Sequence, residues 1–134
     1  MNPKPTILIV DDDADFVEAL AFFLQNNGFA VVKARDGTEG LKLARMRRPD
    51  LIIMDIVMNE RTEGFFTVQE MRRVATLKNV PIFVLSSLYA THPDFQISPE
   101  EGWLAHDEFF SKPANMTELL QKIRQRLPDR AAAI

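Results

Sequence analysis

Residues 6–10 read Thr-Ile-Leu-Ile-Val, an apolar run with no polar alternation. A strand of that composition is expected to be buried on both faces. Related runs recur at Ala30-Val31-Val32-Lys33-Ala34, at residues 51–55 and at Ile82-Phe83-Val84-Leu85, and Glu108-Phe109-Phe110-Ser111 reads as a short fifth strand. Between the runs the apolar period becomes that of a helix. Phe16, Leu20, Phe23 and Leu24 make one stripe, stopped by Gly28 as a C-terminal cap. Asp36-Gly37 reads as a turn, and Leu41 and Ala44 mark a second helix that ends before Pro49. Gly64 precedes a third helix with Val68, Met71 and Ala75 inward, and Pro81 opens the fourth strand. Met116, Leu119, Leu120, Ile123 and Leu127 define the last helix, with Asn115 as its cap, Glu118 three residues on, and Pro128 as its stop. Strands alternating with helices predict an α/β fold whose parallel sheet is covered on both faces. Right-handed crossovers then bring every strand's C-terminal end to one edge.

That edge is acidic. Asp11, Asp12 and Asp13 follow the first strand, and Asp55 ends the third. With those strands adjacent, three or four carboxylates meet. Crowded carboxylates repel one another, so such a cluster points to a divalent cation, and oxygen-only donors suit Mg²⁺. Ser86 and Lys112 also fall at strand ends, on the edge where open α/β sheets bind ligands. One carboxylate acting as a nucleophile toward phosphorus, with a metal, a hydroxyl and an ammonium neutralising charge, fits phosphoryl transfer to an aspartate.

Composition narrows the partners. The chain has 134 residues, 46% of them hydrophobic and 26% charged, with a net charge of −3. This predicts one domain with a full core and no electrostatic footprint for direct nucleic-acid binding. The arginines at 45, 47, 48, 72 and 73 read as solvated helix ends. With no cysteine, disulfide staples are excluded. No signal peptide or membrane-spanning run is present, so no membrane insertion is expected and the chain reads as soluble and cytoplasmic.

Four motifs carry a family resemblance. They are Ile7-Leu8-Ile9-Val10-Asp11-Asp12-Asp13, Pro49-Asp50-Leu51-Ile52-Ile53-Met54-Asp55, Val84-Leu85-Ser86-Ser87 and Phe110-Ser111-Lys112-Pro113. In this order, from residue 5 to about 127, the chain resembles the receiver domains of two-component response regulators. The resemblance implies a flavodoxin-like (βα)5 three-layer sandwich, with a five-stranded parallel sheet of order 2-1-3-4-5. It implies that Asp55 is the phosphoacceptor. Asp12, Asp55 and the backbone carbonyl of Val57 would bind Mg²⁺ directly, and Asp11 through water. Lys112 would pair with the phosphate, with a cis bond to Pro113. Ser86 stands at the switch hydroxyl and Phe109 at the aromatic switch position. The expected partners are a histidine kinase or histidine phosphotransfer protein as donor, a downstream protein target, and a second copy of the chain as a homodimer. Such a domain catalyses only its own phosphorylation and dephosphorylation. Asp13 reads instead as the cap of the first helix.

Two features depart from the family pattern. Asn59 replaces the proline that usually follows Met58, and Gly64 lies nine residues after Asp55, one more than usual. From Ser86 to Lys112 is 26 positions, a few more than usual. Residues 88–97 read as a long loop, and Ser98-Pro99-Glu100-Glu101 as the start of a short, displaced fourth helix near 99–105. These changes keep a competing reading open: a phosphorylation-independent pseudo-receiver serving as a protein-interaction or dimerisation module. A Mg²⁺-dependent phosphohydrolase is a weaker alternative, because Val57 stands where a general acid is needed. His92 and His106 read as surface histidines and Trp103 as a hydrophobic anchor. One domain is expected over 1–134, with no output domain after Leu127.

Overall fold

A computed structural model of the protein describes residues 4–56, 63–86, 108–111 and 115–127. Its centre is a parallel sheet of β1 (Thr6–Val10), β2 (Ala30–Ala34), β3 (Leu51–Met54), β4 (Ile82–Ser86) and β5 (Glu108–Ser111), in the order β2-β1-β3-β4-β5. The order and the parallel sense are those expected. β1 lies between β2 and β3, with Val10 opposite both Ala34 and Met54. The run at 6–10 is unalternated because both of its faces are covered: Ile7, Leu8, Ile9 and Val10 are all buried.

The pleat divides the core into two layers. Leu8, Val10, Ile52, Met54, Ile82 and Val84 face α2 (Gly37–Arg47) and α3 (Glu63–Arg72). Ile7, Ile9, Leu51, Ile53, Phe83 and Leu85 face α1 (Ala14–Gln25) and the C-terminal helix (Met116–Arg126). On that side the rings of Phe83 and Phe110 lie 5.8 Å apart at 43°.

Helix ends follow local chemistry. The amide of Phe16 donates to Asp13 Oδ1 at 3.1 Å, and that of Glu118 donates to Asn115 Oδ1 at 3.0 Å, so both expected caps are present. Gly28, at φ 96°, lets α1 close: the Phe29 amide donates to the Leu24 carbonyl and the Gly28 amide to that of Gln25. Asp36 is more than a turn residue, since it caps α2 by accepting from the Glu39 amide at 2.8 Å. β3 stops at Met54, one residue short of the expected strand, and Gly64 lies inside the first turn of α3 rather than before it.

One packing expectation is corrected. Ala75 is exposed, and Leu77 takes the core position. The helical period does not hold beyond the end of α3 at Arg72; Val74 is extended, and residues Ala75–Leu77 form a 3₁₀ turn. Arg72 is not a plain solvated helix end either. Its Nη1 donates to the carbonyls of Leu77, Lys78 and Val80 at 3.1, 3.2 and 2.6 Å, gathering the turn that feeds β4. Residues 88–105, with the expected long loop and displaced helix, lie outside the described residues. Among the described residues no helix is long and apolar enough to cross a membrane.

Candidate functional site

Sheet hydrogen bonds continue past the strand ends and place the acids. The Asp11 amide donates to the Ala34 carbonyl at 3.1 Å, and the Asp55 amide donates to the Val10 carbonyl at 2.9 Å. Asp55 is thereby held beside the segment that leaves β1. The point also lies where successive connections run to opposite sides of the sheet, since β2 flanks β1 on one side and β3 on the other. Crevices of open α/β sheets form at such a switch.

Asp11, Asp12 and Asp55 meet there, each offering a carboxylate oxygen within 4.8 Å of the others. Asp11 and Asp55 are buried, at 2% and 5% exposure, and Asp12 is exposed. The mixture suits a hard cation: two anchored ligands form a floor, and the third stands at the mouth. Asp11 is fixed by its own loop, since its Oδ1 accepts the Asp13 amide at 3.0 Å. Asp13 faces away from this role and caps α1, as expected.

The other expected site residues distribute as follows. Ser86 is the last residue of β4 and pairs in register with Ser111, the last of β5, so both strand ends reach the acidic edge. Lys112, the residue after Ser111, lies outside the described residues, as do Pro113, Val57, Asn59, His92, Trp103 and His106. Phe109 lies opposite Val84 and packs, half-buried, against the layer under α2 and α3. Its place on that face follows from the strand's alternation, with Phe110 on the other.

Two features escaped the sequence reading. A cavity of about 240 Å³ adjoins one of the acids, Asp11, and is lined also by Ala14, Val17, Lys33, Arg35 and Glu39 among others. Lys33 and Glu18, ion-paired at 2.8 Å, are both part of its lining. Arg35 directly follows β2, which was its one available signal. The second feature is a set of close glycine contacts. A Cβ on Gly40 would meet Val10 Cγ2 at 2.8 Å, and one on Gly37 would collide with the Thr67 hydroxyl. Spacing along the chain gives no sign of either.

The chain is similar to known proteins in sequence and in fold. A family model described as the response regulator receiver domain matches residues 7–124. The chain is 33% identical over 124 residues to the DNA-binding response regulator MtrA of Mycobacterium tuberculosis, covering 92% of this chain and 51% of that protein. It is 30% identical over 123 residues to the DNA-binding dual master transcriptional regulator RpaA of Synechocystis, covering 92% of this chain and 49% of that protein. The chain thus spans about half the length of these curated relatives. A solved structure of the response regulator protein TrrA from Thermotoga maritima, in complex with Mg²⁺-BeF, matches with a TM-score of 0.74 at 30% identity. That match covers 91% of this chain and 98% of the other.

Proposed function

The chain belongs to the response regulator receiver domain family of two-component systems, and from that premise we propose that Asp55 accepts a phosphoryl group in a Mg²⁺-dependent step. The observation that carries this reading is the meeting of Asp11, Asp12 and Asp55 at the β1/β3 switch. The Mg²⁺-BeF complex of the related TrrA supports the choice of metal. Asp12 and Asp55, with the Val57 carbonyl, would hold the ion directly, and Asp11 through water. When bound, Mg²⁺ supplies positive charge that neutralises the phosphoryl oxygens.

The chain's own residues do the rest. A carboxylate oxygen of Asp55 attacks phosphorus, and the P–N bond of a phosphohistidine donor breaks. The imidazole leaves with the bonding electron pair. Ser86 and Lys112 take phosphoryl oxygens of the product, and Phe109 repacks against the layer under α2 and α3. Water later cleaves the acyl phosphate and restores Asp55, so the domain catalyses only its own cycle. The donor is a histidine kinase or a histidine phosphotransfer protein. The signal passes by protein contact, to a downstream target or to a second copy, through two populations with different affinities. The DNA binding named for the relatives belongs to proteins about twice as long and is not carried over.

Intact-mass measurement after incubation with acetyl phosphate and Mg²⁺ tests the reading. The expected outcome is a Mg²⁺-dependent phosphoryl adduct that Asp55→Asn lacks. Absence of both the adduct and Mg²⁺ binding would overturn it in favour of a phosphorylation-independent interaction module.

A further inference from the structure

Gly64 stands in the first turn of α3, packed on the main chain that leaves β3. A Cβ added to it would press on the Asp55 carbonyl oxygen and the Ile56 Cα, well inside van der Waals contact, and on the Ile56 carbonyl carbon at 3.0 Å. All three are backbone atoms, so no side-chain rotation relieves the clash. The helix is pinned one turn further on, where Thr67 packs on Gly37. The α2 helix carrying Gly37 is itself seated on β1 through Gly40 and Val10. The Asp55 amide is tied to Val10. The Asp55–Ile56 peptide is thus set between two fixed neighbours, Val10 through the Asp55 amide and Gly64 in α3.

We infer that Gly64 is a positioning residue for the metal site: it clamps the Asp55–Ile56 peptide and so sets how the Asp55 carboxyl group is presented to a cation. The inference rests on the function proposed above. Asn59 stands where the family has proline, so the segment has no residue of fixed φ at that position. The close approach at Gly64 supplies a constraint of another kind, main chain against main chain, which only glycine permits.

Calorimetric Mg²⁺ titration of the wild-type protein, Gly64→Ala and Leu77→Ala tests this. Leu77 is fully buried in the same layer, in the turn after α3, and serves as a stability control. Gly64→Ala is expected to weaken Mg²⁺ binding by about tenfold or more, the usual size of an effect on groups that orient metal ligands. Leu77→Ala should lower the thermal midpoint and leave Mg²⁺ affinity unchanged. In the wild-type protein, a Mg²⁺ titration followed by amide resonances should move Gly64 in step with Asp11 and Asp12, although Gly64 is no ligand. That arm decides the matter even if Gly64→Ala does not fold. Wild-type Mg²⁺ affinity in Gly64→Ala, or an unmoved Gly64 amide, overturns the clamp alone. Failure of the wild-type protein to bind Mg²⁺ overturns the proposed function, and the clamp with it.

Discussion

Asp12 is the exposed member of the acidic cluster, and Asp11 and Asp55 are its buried members. Without a cation, Asp12 adds a negative charge to two held close by the sheet. Asp12→Asn is therefore expected to stabilise the metal-free protein by up to about 1 kcal/mol, the interaction of two unit charges 4 Å apart in water. The same substitution should remove most of the stabilisation gained on adding Mg²⁺, and denaturant melts with and without the ion measure both effects. Arg48 offers a second test. It closes α2 at φ 47°, a left-handed conformation that costs a side-chain-bearing residue about 1 kcal/mol. Arg48→Gly should raise stability by roughly that amount, less the entropy glycine gives up on folding. The acids were legible in the sequence because each follows an apolar run, and strand ends in a parallel sheet share an edge. The Gly64 contact was legible only in part: spacing marks a glycine nine residues after Asp55, but the backbone atoms it meets are set by a tertiary distance that spacing does not give.

At the scale of elements, the strands and the helix starts were readable because their causes are local. Asp13 and Asn115 cap as expected, since a short polar side chain before an apolar stripe satisfies the amides of the first turn. Ala75 was misplaced for an equally physical reason. A 3.6-residue period holds only while the helix lasts, and α3 ends at Arg72. What ends the exposed excursion after it is Arg72 itself, whose guanidinium holds the carbonyls of Leu77, Lys78 and Val80. Arg72→Ala should cost about 1.5–3 kcal/mol, the range for hydrogen bonds to a charged donor. Denaturant melts give the loss, and amide exchange should quicken first between Leu77 and Ile82, ahead of β1 and β3.

For the whole molecule, ion binding and folding are linked. A cation that binds the assembled edge, and not the unfolded chain, stabilises by about 2.7 kcal/mol at a hundredfold excess over its dissociation constant. Mg²⁺ should therefore raise the thermal midpoint of the wild-type protein and leave that of Asp55→Asn nearly unmoved. The sheet order was legible only through the family resemblance, since alternation of strands and helices fixes parallel pairing but not which strand lies beside which. The layer beneath α1 has a further consequence. Arg124 Nη2 donates to the Asn27 carbonyl at 3.4 Å across 97 residues of sequence, and Leu119 and Ile123 complete the packing around Leu20 and Leu24. A chain emerging from the ribosome therefore shows this apolar face only partly covered, by α1, until its final described helix arrives. Products that stop before residue 115 would leave the surface that Leu119, Leu120 and Ile123 cover open to adhesion, so the last dozen or so residues of the core are what seal this face of a newly made copy.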